Sequence, residues 1–167
     1  ARFTHGYGMG DVNGDGKNDI VTNKAWFENP GDPTAPNWKE HKLDMGTGGA
    51  QIYVYDVDGD GLNDIITSHQ AHGYGLAWYR QGPKNDQGEI TWTRNTIMAD
   101  KKQPNAHGVT FSQLHAIDLV DMDGVDLDPP QLRIQVSHDL DILADDPPQQ
   151  FHRVRDNFVQ IQDLRLA

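Results

Sequence analysis

Asp11-Val-Asn-Gly-Asp-Gly-Lys-Asn-Asp-Ile-Val-Thr22 and Asp56-Val-Asp-Gly-Asp-Gly-Leu-Asn-Asp-Ile-Ile-Thr67 align without a gap and agree at most positions. The similarity extends outward from these two stretches. Ala25-Trp26-Phe27 corresponds to Ala77-Trp78-Tyr79, and Trp38 with His41 corresponds to Trp92 with Thr93 and Arg94. Each unit therefore offers an apolar strand entering an aspartate loop, a short β-branched strand leaving it (Ile20-Val21-Thr22, Ile65-Ile66-Thr67), an aromatic strand, and a strand near Trp38 or Trp92. Units of roughly 40 to 50 residues with four short strands are the sequence sign of propeller blades, whose apolar faces are buried by stacking on neighbours. The fold class expected is all-β: propeller-like blades of about four antiparallel strands, in an incomplete propeller or a fragment.

Within each loop the oxygen-bearing side chains fall at positions one, three, five and nine. These are Asp11, Asn13, Asp15 and Asp19 in the first, and Asp56, Asp58, Asp60 and Asp64 in the second. Position seven, Lys17 or Leu62, has only its backbone carbonyl to offer, so its side-chain type is free. Gly14, Gly16, Gly59 and Gly61 let the backbone curl until the carboxylates point inward. Calcium takes six to eight oxygen ligands in flexible geometry. Magnesium demands a stricter octahedron, and zinc prefers histidine or thiolate. The donor set predicts two Ca2+ ions. An EF-hand would place a bidentate glutamate at position twelve and start a helix there, but Thr22 and Thr67 hold that place inside β-branched runs.

Composition agrees with this reading. Seventeen glycines and nine prolines among short apolar segments favour strands and turns over helices. With 25 acidic against 14 basic residues, the formal charge of −11 repels nucleic acid and anionic membrane and makes cations the natural partners. The chain contains no cysteine, which removes disulfides and thiolate metal sites. No apolar span long enough for a membrane occurs, and a start at Ala1 without a leader points to a processed or excised piece.

A third copy of the motif begins at Ile117-Asp-Leu-Val-Asp-Met-Asp-Gly124 and then degrades, with Val125 and Pro129 standing where ligands belong. The chain divides accordingly into residues 1–124, with two intact repeats and one degraded, and an unassigned β-rich segment, residues 125–167. That segment carries the alternating runs Leu132-Arg-Ile-Gln-Val136 and Val159-Gln-Ile161.

With Phe3, Gly6 and Gly8 ahead of the first loop, and with Trp26-Phe-Glu-Asn-Pro-Gly31 and Trp78-Tyr-Arg-Gln-Gly82 after the two loops, residues 1–124 resemble the FG-GAP or VCBS repeats of bacterial exported proteins and of integrin-α propellers. The resemblance implies a secreted or cell-surface location and structural calcium between the first two strands of a blade. The calcium-ligand role carries to Asp11, Asn13, Asp15, Asp19, Asp56, Asp58, Asp60 and Asp64. It further implies roles in adhesion, carbohydrate or extracellular protein binding, or scaffolding.

Eight histidines raise a catalytic alternative, and the cluster to test is His69, His72, Tyr74 and Arg80, which would serve a polysaccharide lyase or hydrolase as acid and base. The pairs His5-Gly6, His72-Gly73 and His107-Gly108 read as features of the repeat. No nucleophile elbow or phosphate-cradling glycine loop accompanies them. Trp26, Trp38, Trp78 and Trp92, with Phe27 and Tyr79, recur at matched places, which favours core positions over exposed sugar platforms. A third alternative is a blade unit that self-assembles into a homo-oligomer or joins the remaining blades of a larger chain.

Overall fold

The short β-branched run that leaves the second aspartate loop forms the centre of the fold, because it is buried at every position. The structure is a computed structural model that describes residues 6–104, 110, 112–119, 134–138 and 158–159. Strands β1 (Gly8–Gly10), β2 (Asp19–Val21), β3 (Ala25–Glu28) and β4 (Lys39–Lys42) form one antiparallel four-stranded meander. Strands β5 (Ile52–Tyr55), β6 (Asp64–Ser68), β7 (Leu76–Lys84) and β8 (Ile90–Met98) form a second with the same order. The all-β expectation of four-stranded, propeller-like blades holds, and no helix occurs among the described residues. In both blades the aspartate loop joins the first strand to the second, as the motif spacing requires.

A third sheet is ordered β9 (Leu114–Leu119), β10 (Ile134–His138) and β11 (Phe158–Val159). Its last two strands fall on the alternating runs noted above, so it joins chain on either side of residue 125. The degraded loop with Asp121, Asp123, Val125 and Pro129 lies outside the described residues, as do Phe3, His5, His107 and Gly108.

Two apolar cores lie between the sheets, and the two-residue period of the strands assigns side chains to one or the other. Val21, Trp26, Leu43 and Met45 of the first blade meet Ile52, Ile65, Ala77 and Tyr79 of the second. The alternate residues of the second blade, Ile66, Leu76, Trp78 and Met98, turn the other way and meet Leu114 and Ile117 of the third sheet. This double coverage explains why β6 is buried at every position. Trp26, Trp78 and Tyr79 are core residues, as their recurrence suggests, while Trp38, Trp92 and Phe27 are half-buried.

Polar contacts set how the first two blades meet. The His41 ring stacks on Trp26 with centroids 4.0 Å apart and planes 4° from parallel. Its Nε2 lies 2.8 Å from Glu28 Oε2 and its Nδ1 2.9 Å from Glu89 Oε2, so one buried imidazole bridges the carboxylates of two blades. The hydrogen bond to His41 holds the Glu89 carboxyl below the usual range for glutamate. The Tyr79 hydroxyl donates to the Met45 carbonyl at 3.1 Å across the same interface.

Close approach of the blades depends on small residues in β1. A Cβ placed on Gly8 would fall 2.8 Å from Ile52 Cγ2, and one on Gly10 would fall 2.5 Å from Val54 Cβ. On the opposite face of β1, Tyr7 and Met9 correspond to Ile52 and Val54 of the second blade but are 71% and 68% exposed. Because β5 cannot retreat without opening the core, Gly10→Ala is expected to lower unfolding free energy by about 1 to 3 kcal/mol, the usual range for overpacking. Urea denaturation followed by tryptophan fluorescence measures it, and an unchanged midpoint would show that the two sheets can separate freely.

Candidate metal centre

Each aspartate loop is wound by its own first residue. Asp11 Oδ1 accepts the N–H groups of Gly14 at 2.8 Å and Asp15 at 3.0 Å, and Oδ2 accepts that of Gly16 at 2.8 Å. Asp56 does the same with Gly59 at 2.8 Å, Asp60 at 3.1 Å and Gly61 at 2.9 Å. Positions three and five add shorter turns: Asn13 accepts from Asp15 N–H, and Asp15 from Lys17 N–H. Asp58 and Asp60 repeat the pattern with Asp60 and Leu62. The curl needs positive φ at Gly14 (78°), Gly16 (82°), Gly59 (73°) and Gly61 (85°), a region that side chains with a Cβ avoid.

The ninth-position aspartates are fully buried and hold the loop ends together. Asp19 Oδ2 accepts the Val12 N–H and Oδ1 the Asn29 N–H, both at 2.9 Å. Asp64 accepts from Val57 at 3.1 Å and Gln81 at 2.8 Å. Burial raises both carboxyls above the ordinary aspartate value, against the opposing pull of these N–H donors. A carboxylate oxygen has two lone pairs, so each retains acceptor capacity toward the loop interior.

Asp56, Asp58 and Asp64 place one carboxylate oxygen each within 4.8 Å of one another. Oxygens bound to one calcium at about 2.3 to 2.6 Å can be no farther apart than about twice that radius, so this spacing suits a calcium shell. The donors are hard oxygens, with no thiolate or imidazole among the nominated ligands, which fits calcium chemistry. Lys17 and Leu62, nominated for their carbonyls, turn their side chains elsewhere: Leu62 is exposed, and Lys17 Nζ reaches Asp15 Oδ2 at 2.8 Å and lowers that carboxyl's pKa.

Three further residues join the site, none of which the sequence reading placed there. Asn63 Nδ2 donates to the Asp11 carbonyl at 2.7 Å, joining the second loop to the first. Gln81 Nε2 is buried and donates to the Val12 carbonyl at 3.1 Å and the Asn63 carbonyl at 2.7 Å. Arg80 sets its Nε 2.6 Å from Asp58 Oδ2 and its Nη2 3.0 Å from Asp60 Oδ2. Gln81 follows the aromatic pair of the second repeat just as Asn29 follows that of the first, and Asn29 Nδ2 donates to the Asn18 carbonyl. That matched position was the available signal.

The register places Arg80 at the aspartate-loop end of the second blade, whereas His69, His72 and Tyr74 lie at the opposite end, beyond Ser68 and before Leu76. There His69 Nε2 lies 3.7 Å from Asp100 Oδ2, a Cβ placed on Gly46 would collide with the His69 ring, and Tyr74 makes an isolated bridge to Ser112. The four residues nominated for acid and base roles therefore do not converge on one point.

The model of the FG-GAP-like repeat matches residues 11–67, a span that opens on the first ligand of the first loop and closes on the strand that leaves the second. Over that span the chain is similar to the FG-GAP-like repeat family. No match was found among curated proteins or among solved structures.

In this FG-GAP-like pair, one Gln81 amide group reaches both loops. Gln81→Met keeps its shape but strips the Val12 and Asn63 carbonyls of a buried donor, and is expected to cost about 2 kcal/mol. Chemical denaturation gives the value, and a loss below a few tenths would mean that water replaces the amide at no penalty.

Proposed function

We propose that the chain is an extracellular repeat module in which two structural Ca2+ ions, one per loop, stiffen the blades that present its binding surface. The observation that carries this reading is the convergence of Asp56, Asp58 and Asp64 within 4.8 Å, on a loop whose turn pattern the first repeat reproduces residue for residue. The ligands are Asp11, Asn13, Asp15 and Asp19 in one loop and Asp56, Asp58, Asp60 and Asp64 in the other, with the Lys17 and Leu62 carbonyls completing each set. Calcium would neutralise carboxylates that now face one another, and so hold each hairpin in register. Family resemblance supports an exported location, and no helix among the described residues is long and apolar enough to cross a membrane. The partner we assign to the outer surface is carbohydrate or extracellular protein, bound without chemistry.

Melting with calcium and with chelator tests the metal. At a free concentration of about 100 times Kd each site adds about 2.7 kcal/mol, which raises Tm by several degrees in a chain of this size. A melting curve that ignores chelator refutes the calcium reading. Incubation with acidic and neutral polysaccharides separates binding from cleavage, since new reducing or unsaturated ends would make the chain an enzyme.

Exposed Tyr7 and Met9 favour a second reading, assembly of blades between copies. Positions that a neighbouring blade buries at Ile52 and partly buries at Val54 are uncovered here. Sedimentation in calcium is expected to show an oligomer that Met9→Lys weakens, and a strictly monomeric mass refutes assembly.

A further inference from the structure

The two loops share a backbone but not a charge pattern. Position for position, Trp26-Phe27-Glu28 of the first repeat corresponds to Trp78-Tyr79-Arg80 of the second, so a glutamate in one blade stands where an arginine stands in the other. Glu28 turns to its own blade, 2.8 Å from His41 Nε2 and 4.0 Å from Lys39 Nζ. Arg80 turns to the loop and spans Asp58 and Asp60, two of the four carboxylates there. An arginine guanidinium is cationic at every relevant pH.

From this contrast we infer that Arg80 is a built-in competitor of the metal at the second loop, so that calcium enters there by displacing a guanidinium. This rests on the calcium reading above and names how that site is regulated. A planar guanidinium that engages two separate carboxylates satisfies them directionally and neutralises one unit of their charge. A cation ligated by Asp58 and Asp60 would sit beside a guanidinium whose nitrogens lie 2.6 and 3.0 Å from those carboxylates, and the repulsion of like charges drives one of the two away. The first loop has a weaker counterpart: Lys17 Nζ meets Asp15 alone, from a flexible stem within the loop. With four carboxylates against three, ligand charge alone ranks the second loop as the stronger site, and Arg80 opposes that ranking. The same contacts give the second loop internal neutralisation when calcium is scarce. The consequence is a hairpin that keeps its shape without metal and takes up metal only at higher concentration.

The test is Arg80→Gln, with Arg80→Lys as a variant that keeps the charge but offers only a point contact. Calorimetric calcium titration in a background carrying Asp15→Asn, which weakens the first loop, reports the second loop. Arg80→Gln is expected to tighten that site about three- to tenfold, the scale of a half-exposed two-point ion pair, with Arg80→Lys in between. Melting supplies a sign that a merely structural arginine would not give. In chelator Arg80→Gln melts below the wild-type chain, and in saturating calcium it melts level with it or above it. If the variant loses equally in both conditions while the wild-type chain still responds to calcium, the competitor role is overturned and the calcium reading stands. If neither protein responds to calcium in heat or in melting, both fall together.

Discussion

Everything in the first two blades depends on a buried carboxylate that closes each aspartate loop. Asp19 and Asp64 lie between the residue that follows the first strand of a blade by two positions and a residue of the chain that carries the third strand, and each takes a backbone N–H from either side. An ionised group without solvent is costly, and its cost here is reflected in pKa values raised by burial. The fold tolerates it because two directional donors meet each carboxylate and no other residue has two acceptors on so short a stem. With that tie in place the first strand, the loop and the third strand form one unit, and the β-branched strand between them is held where both of its faces can be covered.

Covering those faces then follows from simple alternation. Ile65 and Ile66 point in opposite directions, as do Trp78 and Tyr79, so the second blade contributes to two cores at once. The first blade is covered on only one side among the described residues. Polar side chains reinforce the contact between the first two blades at opposite ends of the sheets. Gln81 and Asn63 tie loop to loop at one end, and Tyr79 reaches the Met45 carbonyl at the other.

Much of this was legible in the residues themselves. The aspartates at positions one, three, five and nine, the intervening glycines and the β-branched runs identify hairpins with an oxygen-lined loop, and the recurrence of Trp26 and Trp78 marks a blade core. The reading of His69, His72, Tyr74 and Arg80 as a group failed to anticipate their separation, because neighbours in sequence on a β-strand can sit at opposite ends of a sheet. Arg80 stands four residues beyond Leu76, which carries it about 13 Å along an extended strand to the loop. The roles of Gln81, Asn63 and Glu89 could not be read, since each depends on a partner in the other blade. His41 was noticed only as part of a repeat, and its bridge between Glu28 and Glu89 exists only once the blades are stacked.

Gly8 and Gly10 carry one further consequence. They make the following side of the first blade hollow where the preceding side of the second, with Ile52 and Val54, is raised, and the second blade's own following side carries Tyr53 and Tyr55 instead of glycines. The two repeats are therefore not interchangeable modules. Exchanging their order along the chain would set tyrosine against Tyr7 and Met9, where the native order sets glycine against aliphatic side chains. A gene duplication that produced such an array had to be followed by divergence at these strand positions, so the stack has a direction, and each repeat bears the imprint of the neighbour it was fitted to.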